Sequence, residues 1–378
     1  MSDLSDDEVS TGLRRIIGDA VAAGGGWLGF DAFMALALYA PGLGYYARDS
    51  LKFGSLPYQR EDDRMLAGSD FVTAPEISPL FGQTLASQLA QALQQTQTDT
   101  LWEFGAGSGA LALQLLNCWA EQGQPLPQYR IIELSATLRA RQQAALAAFA
   151  EQVQWVDALP EQLTGVLLGN EVLDAMPVQL LARVGGTWFE RGVAASPDGT
   201  GWVWQDRPTA LRPPLEIPGE HDYLTEIHPQ AEAFIRTLAE RLVAGAAFFI
   251  DYGFPEHEYY HPQRHMGTVM CHSAHQADPD PLVLVGQKDI TAHVNFTGIA
   301  LAAQHAGLTV LGYCSQARFL INCSIGPRLD AAPLAQRAQA QHLLHEHEMG
   351  ELFKVIGLGR GQPWDALGFA QGDRTHTL

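Results

Sequence analysis

The chain has 378 residues, 47% hydrophobic and 17% charged, enough apolar material for one large core with an added part. Its formal net charge of −19 excludes a nucleic-acid partner held through its phosphates, which needs a basic footprint, and suits either a cationic substrate or simple solubility. No stretch approaches the roughly 18 apolar residues of a membrane span, and the acidic start Met1–Glu8 is neither a secretory signal nor an Arg-rich transit peptide, so a cytoplasmic chain without membrane insertion is expected.

A short amphipathic helix carries Leu13, Ile16, Ile17 and Val21 at helical spacing within residues 1–30. From Phe33 to Pro79 the chain is rich in aromatic, Gly and Pro residues, including Tyr39, Pro41, Gly42, Gly44, Tyr45, Tyr46 and Phe53, and this marks turns and irregular backbone. Gln59–Arg64 reads as an exposed loop. A helix over Pro79–Gln94 follows, with Ser78 as its cap. Strands and helices then alternate: Leu101–Phe104, Gly109–Gln122, Tyr129–Glu133, Ala136–Ala150, Val153–Val156 and Val166–Leu168. Apolar strands alternating with helices predict a mostly parallel α/β sheet with helices on both faces. Residues 177–218 interrupt it with Gly-Gly and Asp-Gly turns, the signature of an antiparallel insertion. A helix over Pro229–Val243 and a strand over Ala246–Asp251 resume the alternation. Beyond a His- and Pro-rich loop over Tyr252–His275, the pattern predicts a helix at Ile290–Ala306, strands at Leu308–Cys314 and Arg318–Ser324, a helix over about 332–349 and a loose tail after Pro363. The expected division is 1–78, 79–330 and 331–378. Cys118, Cys271, Cys314 and Cys323 form no CxxC pair and read as reduced thiols.

The sharpest chemical signal is Glu103-Phe104-Gly105-Ala106-Gly107-Ser108-Gly109, between a strand and a helix. Glycines there allow a tight turn and let a ligand reach the backbone. Glu133 ends the next strand, where an acid accepts from ribose hydroxyls. Gly105, Gly107 and Ala110 also satisfy the looser dinucleotide pattern, so a nicotinamide oxidoreductase stays open. Glu103 would repel a pyrophosphate but can pair with the amino group of S-adenosylmethionine, or with nearby amides. The fourth strand ends in Gly169-Asn170-Glu171-Val172-Leu173-Asp174, at the carboxyl edge where α/β sheets bind ligands. Asn170 is expected beside the cofactor; Glu171 and Asp174 are expected to hold a guanidinium or ammonium for in-line displacement, unless they only cap a helix.

Several blocks together resemble a known family. They are Tyr45-Tyr46, the run from Asp70 through Thr73-Ala74-Pro75-Glu76-Ile77-Ser78 to Gly82, the glycine loop, Asn170-Glu171, Asp251-Tyr252-Gly253, Gly267-Thr268, and Asp289 to Phe296. In this order they resemble the MidA-type methyltransferases, the mitochondrial complex I assembly factor family. The resemblance spans about residues 33 to 325. It implies a class I methyltransferase (Rossmann-like) fold, S-adenosylmethionine as donor, and a protein substrate: an arginine on a subunit of respiratory complex I, here of a bacterial NADH:quinone oxidoreductase. The chain departs from the family in a longer insert between Phe53-Gly54 and Asp70-Phe71, and in Asn295 where an Asp is expected.

Glu76, just before a helix start, can reach the cofactor or the substrate cation, or favour the helix dipole; it is expected to support Glu171 and Asp174 as a catalytic residue facing the acceptor. Asp251 either faces the crevice or stabilises its own loop. His257, His261, His265, His272 and His275 with Cys271 match no tetrahedral zinc spacing, so no metal is expected. His293 is expected one turn into a helix. A non-catalytic assembly chaperone on the same scaffold is the other alternative, and a homodimer is among the assemblies the reading allows.

Overall fold

The run Thr100-Leu-Trp-Glu-Phe104 is buried at every position, which only a strand covered on both faces can achieve. The computed structural model, which describes residues 6–47, 73–273 and 276–378, makes it the first strand of a doubly wound sheet. The loop expected at Gln59–Arg64, the Phe53-Gly54 site, Asp70–Val72 and His275 lie outside the described residues. Two compact units emerge, and they do not follow the expected division at 1–78, 79–330 and 331–378: one is Met1–Phe71, Asp174–Ala231 and Glu256–Asn295, the other Val72–Leu173, Glu232–Pro255 and Phe296–Leu378. We call the second the sheet unit and the first the insert unit.

In the sheet unit the strands are β1 (Thr100–Phe104), β2 (Gln128–Ile132), β3 (Val153–Val156), β4 (Leu163–Asn170), β5 (Leu242–Phe254), β6 (Thr309–Ser315) and β7 (Phe353–Gly359). They lie in the order β3-β2-β1-β4-β5-β7-β6. All neighbours up to β5 are parallel; β7 is antiparallel to both β5 and β6. The chain leaves β1 toward β2 and β3, then crosses to β4 on the other side. Such a switch of direction opens a crevice beyond the carboxyl ends of β1 and β4. Helices α1 (Leu80–Thr96), α2 (Ala110–Glu121) and α3 (Ala136–Ala145) cover the sheet. Leu85, Leu89, Leu115 and Trp119 from α1 and α2 join Leu101, Val166, Leu168 and Phe248 from the strands in one core. At roughly 1.5–3 kcal/mol per fully buried large apolar side chain, that core outweighs the weak propensities of its Gln-rich helices.

The expected alternation holds through β5 and then needs correction. Arg318–Ser324 is not a strand; a helix runs from Gln316 to Asn322, burying Phe319 and Leu320. A short apolar run fits either period, and here the core takes one face only. The tail after Pro363 is not loose: Gly368 donates to Gln88 Oε1 at 2.7 Å, and the Phe369 ring packs on Phe319 at 5.2 Å. Strand β7 was not expected, because the two glycines in Val355-Ile356-Gly357-Leu358-Gly359 disguise a fully buried strand.

The insert unit combines what reads in sequence as two parts. Strands Gln179–Val184, Thr187–Ala195 and Tyr223–Ile227 pair antiparallel, with Trp202–Pro208 added to Thr187–Ala195. Gly185 and Gly186, both left-handed, make the first hairpin turn. The N-terminal chain joins this sheet through Leu28↔Val193, and its helices Asp6–Ala23 and Phe30–Tyr39 supply Leu13, Ile17, Phe30 and Phe33 to a core shared with Val178, Leu180 and Val193. Within Tyr252–His275, expected to be one long loop, Met270–Ser273 is a strand that pairs antiparallel with Gln276–Asp278 on one side and Asp289–Thr291 on the other. The helix expected from Ile290 starts at Phe296. Among the described residues no helix is long and apolar enough to cross a membrane.

Candidate active site

The glycine loop leaves β1 as the sequence predicts. Gly105, Gly107 and Gly109 all have positive φ, at 64°, 53° and 87°, which a side chain would strain. The loop turns directly into α2 through Gly109, its N-cap, and Ala110 N donates to Ser108 Oγ at 3.3 Å. A Cβ on Gly107 would meet nothing within 4 Å, so its outer side is open to a ligand. A Cβ on Gly105 would lie 3.0 Å from Val172 Cγ2, which places the loop against the turn after β4.

Glu76 comes to this loop. The segment Ala74–Ile77 is a single helical turn, and the Glu76 carboxylate accepts a hydrogen bond from the Ser108 hydroxyl. Gln114 of α2 holds the turn, donating to Pro75 O at 2.7 Å and accepting from Gly82 N at 3.0 Å. Ser78 accepts from Leu80 N at 3.3 Å, but α1 begins at Leu80, one residue later than expected, and Pro79 takes the N-cap position without a side-chain bond.

Glu103 is placed differently from expectation. It is 2% exposed, and its Oε2 accepts from the Tyr129 hydroxyl of β2 at 2.6 Å, so its partner is a side chain of the next strand and not a loop amide. Burial pushes its pKa up to about 7, with the Tyr129 hydrogen bond opposing.

Glu133 sits just past the end of β2, buried, with both oxygens held. Oε1 accepts from Ser135 N at 2.9 Å, and Oε2 from Gln142 Nε2 at 3.0 Å. Gln142 also donates to Gly107 O at 2.9 Å and accepts from Trp155 Nε1 at 2.8 Å. Sequence reasoning missed Gln142. The available signal was its place on the row Leu138, Gln142, Leu146 of α3, where a polar residue at a core-facing position requires partners.

The turn after β4 is the second centre. Glu171 has a φ of 54°, a left-handed conformation unusual for a residue with a Cβ. Asp251, 1% exposed at the end of β5, accepts from Val172 N at 3.1 Å and Leu173 N at 2.9 Å. Its carboxylate thus ties the turn after β4 to β5. Asn170 donates to Glu171 Oε1 at 3.0 Å, and its own Oδ1 is buried without a hydrogen-bond partner among the described residues.

Asp174, three residues on, belongs to the insert unit. Its carbonyl accepts from Ala292 N at 2.9 Å, and the next carbonyl, Ala175 O, accepts from the Tyr39 hydroxyl at 2.8 Å. Tyr39 stacks on Tyr46 at 5.6 Å between centroids, and the Tyr46 hydroxyl donates to Asp289 Oδ1 at 2.8 Å. Burial, then the nearby Asp289 and Asp174 carboxylates, push both phenols well above their usual range. The Gly267-Thr268 block is anchored by Glu226, which is fully buried and accepts from Thr268 N at 2.6 Å and from the Tyr259 hydroxyl at 2.9 Å. His293 precedes the helix instead of lying within it, and its amide donates to Thr268 Oγ1 at 3.0 Å. His221 bonds the Pro262 carbonyl of the His-rich loop, and within that loop His261 Nδ1 accepts from Gln263 N, so these two rings serve loop structure. Among the described residues no group of three His, Cys, Asp or Glu is placed to hold a metal ion.

Residues 84–314 match the model of a family described as S-adenosyl-L-methionine-dependent methyltransferases. A crystal structure from Burkholderia thailandensis with bound S-adenosyl-homocysteine is 47% identical, with a TM-score of 0.91, over 100% of this chain and 99% of that one. A second crystal structure from the same organism is 45% identical, with a TM-score of 0.88 and the same coverage. The protein arginine methyltransferase NDUFAF7, mitochondrial, of Danio rerio is 27% identical over 360 residues, 83% of this chain and 82% of that protein. The NDUFAF7 homolog of Caenorhabditis elegans is 23% identical over 392 residues, 93% of this chain and 87% of that protein.

Proposed function

The chain belongs to the family of S-adenosyl-L-methionine-dependent methyltransferases, and from that premise we propose that it methylates an arginine side chain of a protein, on a subunit of an NADH:quinone oxidoreductase. The observation that carries the acceptor reading is Glu171: a carboxylate held in left-handed backbone by Asp251, on a turn that touches the glycine loop through Val172 and Gly105. Backbone strain of this kind persists where the surroundings over-determine it, and it clusters at functional sites.

The residues present fit the donor. The bare left-handed glycines admit the methionine part, the preset Glu133 carboxylate suits two ribose hydroxyls, and the buried Asn170 Oδ1 at the end of β4 is an acceptor without a hydrogen-bond partner among the described residues. Glu76, bonded to Ser108, supports the glycine loop. The buried Glu103 holds the strand end from beneath, through Tyr129. The bound donor supplies an electrophilic methyl group. A guanidinium is a cation at neutral pH, so the protein must hold it and aim one nitrogen, which paired carboxylates do well. Glu171, on the turn after β4, is the carboxylate for that role. In the insert unit the stacked Tyr39 and Tyr46, beside Asp174 and Asp289, offer the aromatic and anionic surroundings that a guanidinium prefers. The relatives named protein arginine methyltransferases support an arginine acceptor.

The test combines donor titration with a transfer assay on purified bacterial NADH:quinone oxidoreductase and isotopically labelled donor. Label should appear on an arginine and vanish in Glu171→Gln, with donor affinity within about twofold of wild type. Donor binding with no labelled arginine on any subunit would defeat the reading and favour an assembly chaperone on a methyltransferase scaffold.

A further inference from the structure

The geometry points to Gln142 as the positioning residue that couples the two halves of the donor site, the ribose acid Glu133 and the glycine loop at Gly107. Gln142 lies in α3, far in sequence from the loop and distant from every block that carries the family resemblance. Its carboxamide is fully buried and uses its whole inner set of bonds: one N–H to Gly107 O at 2.9 Å, the other to Glu133 Oε2 at 3.0 Å, and the oxygen to Trp155 Nε1 at 2.8 Å. An indole nitrogen only donates, so Trp155 determines which way the amide faces: oxygen to the indole, nitrogen to the two acceptors. Both acceptors belong to elements that a donor must touch at once. Glu133 Oε1 is already held by Ser135 N, so the carboxylate is oriented at both oxygens before any ligand arrives. A Cβ on Gly109 would sit 3.5 Å from the Gln142 backbone, so α3 packs directly under the loop.

No common side chain substitutes. Asn is one methylene short, Leu has no donor, and an ionised Glu at this site would oppose both Glu133 and a carbonyl oxygen. Gln142 therefore sets donor affinity without contacting the acceptor, and the two donor contacts, ribose and methionine, are energetically coupled through it. The inference rests on Glu133 being the ribose acid, and the experiment separates the two.

Donor and S-adenosyl-homocysteine affinities are measured by titration calorimetry on the full chain for wild type, Glu133→Ala, Gln142→Leu, Gln142→Glu and the double variant Glu133→Ala/Gln142→Leu, with melting temperatures to confirm folding. Gln142→Leu should weaken donor binding about 10- to 100-fold, the usual weight of a hydrogen bond to a charged group, and the double variant should be no weaker than about the worse single one. The isosteric Gln142→Glu carries the decisive readout: its deficit relative to wild type should shrink as pH falls from about 8 to about 6, because a protonated Glu regains one donor toward Glu133, while a packing defect gives a deficit that ignores pH. If Glu133→Ala weakens binding while both Gln142 variants bind as wild type, or the Gln142→Glu deficit is flat with pH, the coupling role is wrong. If Glu133→Ala itself binds donor normally, the ribose assignment fails first.

Discussion

Glu171 shows how a single backbone angle and a single carboxylate can serve opposite ends. A left-handed residue with a Cβ costs about 1–2 kcal/mol relative to glycine. Glu171→Gly should therefore raise stability by about 1 kcal/mol in urea denaturation while methyl transfer falls by at least about 100-fold. A variant that loses stability would mean that the side chain, and not the fold around it, sustains the turn. Glu103 makes a similar conflict visible in pH. Its folded pKa of about 7 lies above the ordinary 4.5, so between those values the native chain holds a proton that the unfolded chain has released. Unfolding then releases protons, and stability falls as pH rises through this window, levelling above about 7. Glu103→Gln keeps an acceptor for Tyr129 and has no proton to lose. Its melting temperature relative to wild type should climb from about pH 5 to about pH 8; a constant difference would show that the carboxyl ionises as freely in the fold as outside it.

At the scale of elements, the turn after β4 is held from its parallel neighbour β5. Asp251 leaves β5 and takes the amides of Val172 and Leu173, as well as its own neighbour Tyr252 N at 2.9 Å. Asp251→Ala strips these buried amides of their acceptor and should cost about 2–4 kcal/mol, with kcat reduced more than donor affinity because the acceptor carboxylate, not the glycine loop, loses its support. Asp251→Asn retains one acceptor oxygen and should recover part of both. Equal losses in donor affinity and kcat would show that the turn carries the loop as well. The same logic explains why the strand-helix register was readable early and failed late. At β1, β4 and β5 the strand is a mostly apolar run that is largely buried, so local pattern and tertiary environment agree. At Arg318–Ser324 and at Phe353–Gly359 they do not: an apolar run became a helix because one face meets the core, and a glycine-rich run became a central antiparallel strand because β5 and β6 flank it.

For the molecule as a whole, the net charge of −19 acts on association. A cationic acceptor should be captured faster at low salt, so KM for an arginine substrate should rise as ionic strength passes about 0.1 M, where the Debye length is about 10 Å, while donor affinity changes little. A flat KM would assign the acidity to solubility alone. The amino-acid sequence by itself determined the doubly wound class, the glycine loop, Glu133 at the end of the second strand and the polar turn after the fourth, because each is a local pattern whose period or turn chemistry is written in adjacent residues. Only the tertiary structure decided that the N-terminal helices and the antiparallel insertion form one unit, that Asp174 belongs to it, that Glu76 bonds Ser108, that Glu103 faces Tyr129, and that Gln142 joins Glu133 to Gly107. Each of those is a bond or packing contact between residues far apart in the chain, and spacing along one sequence carries no information about which buried polar group will find which partner.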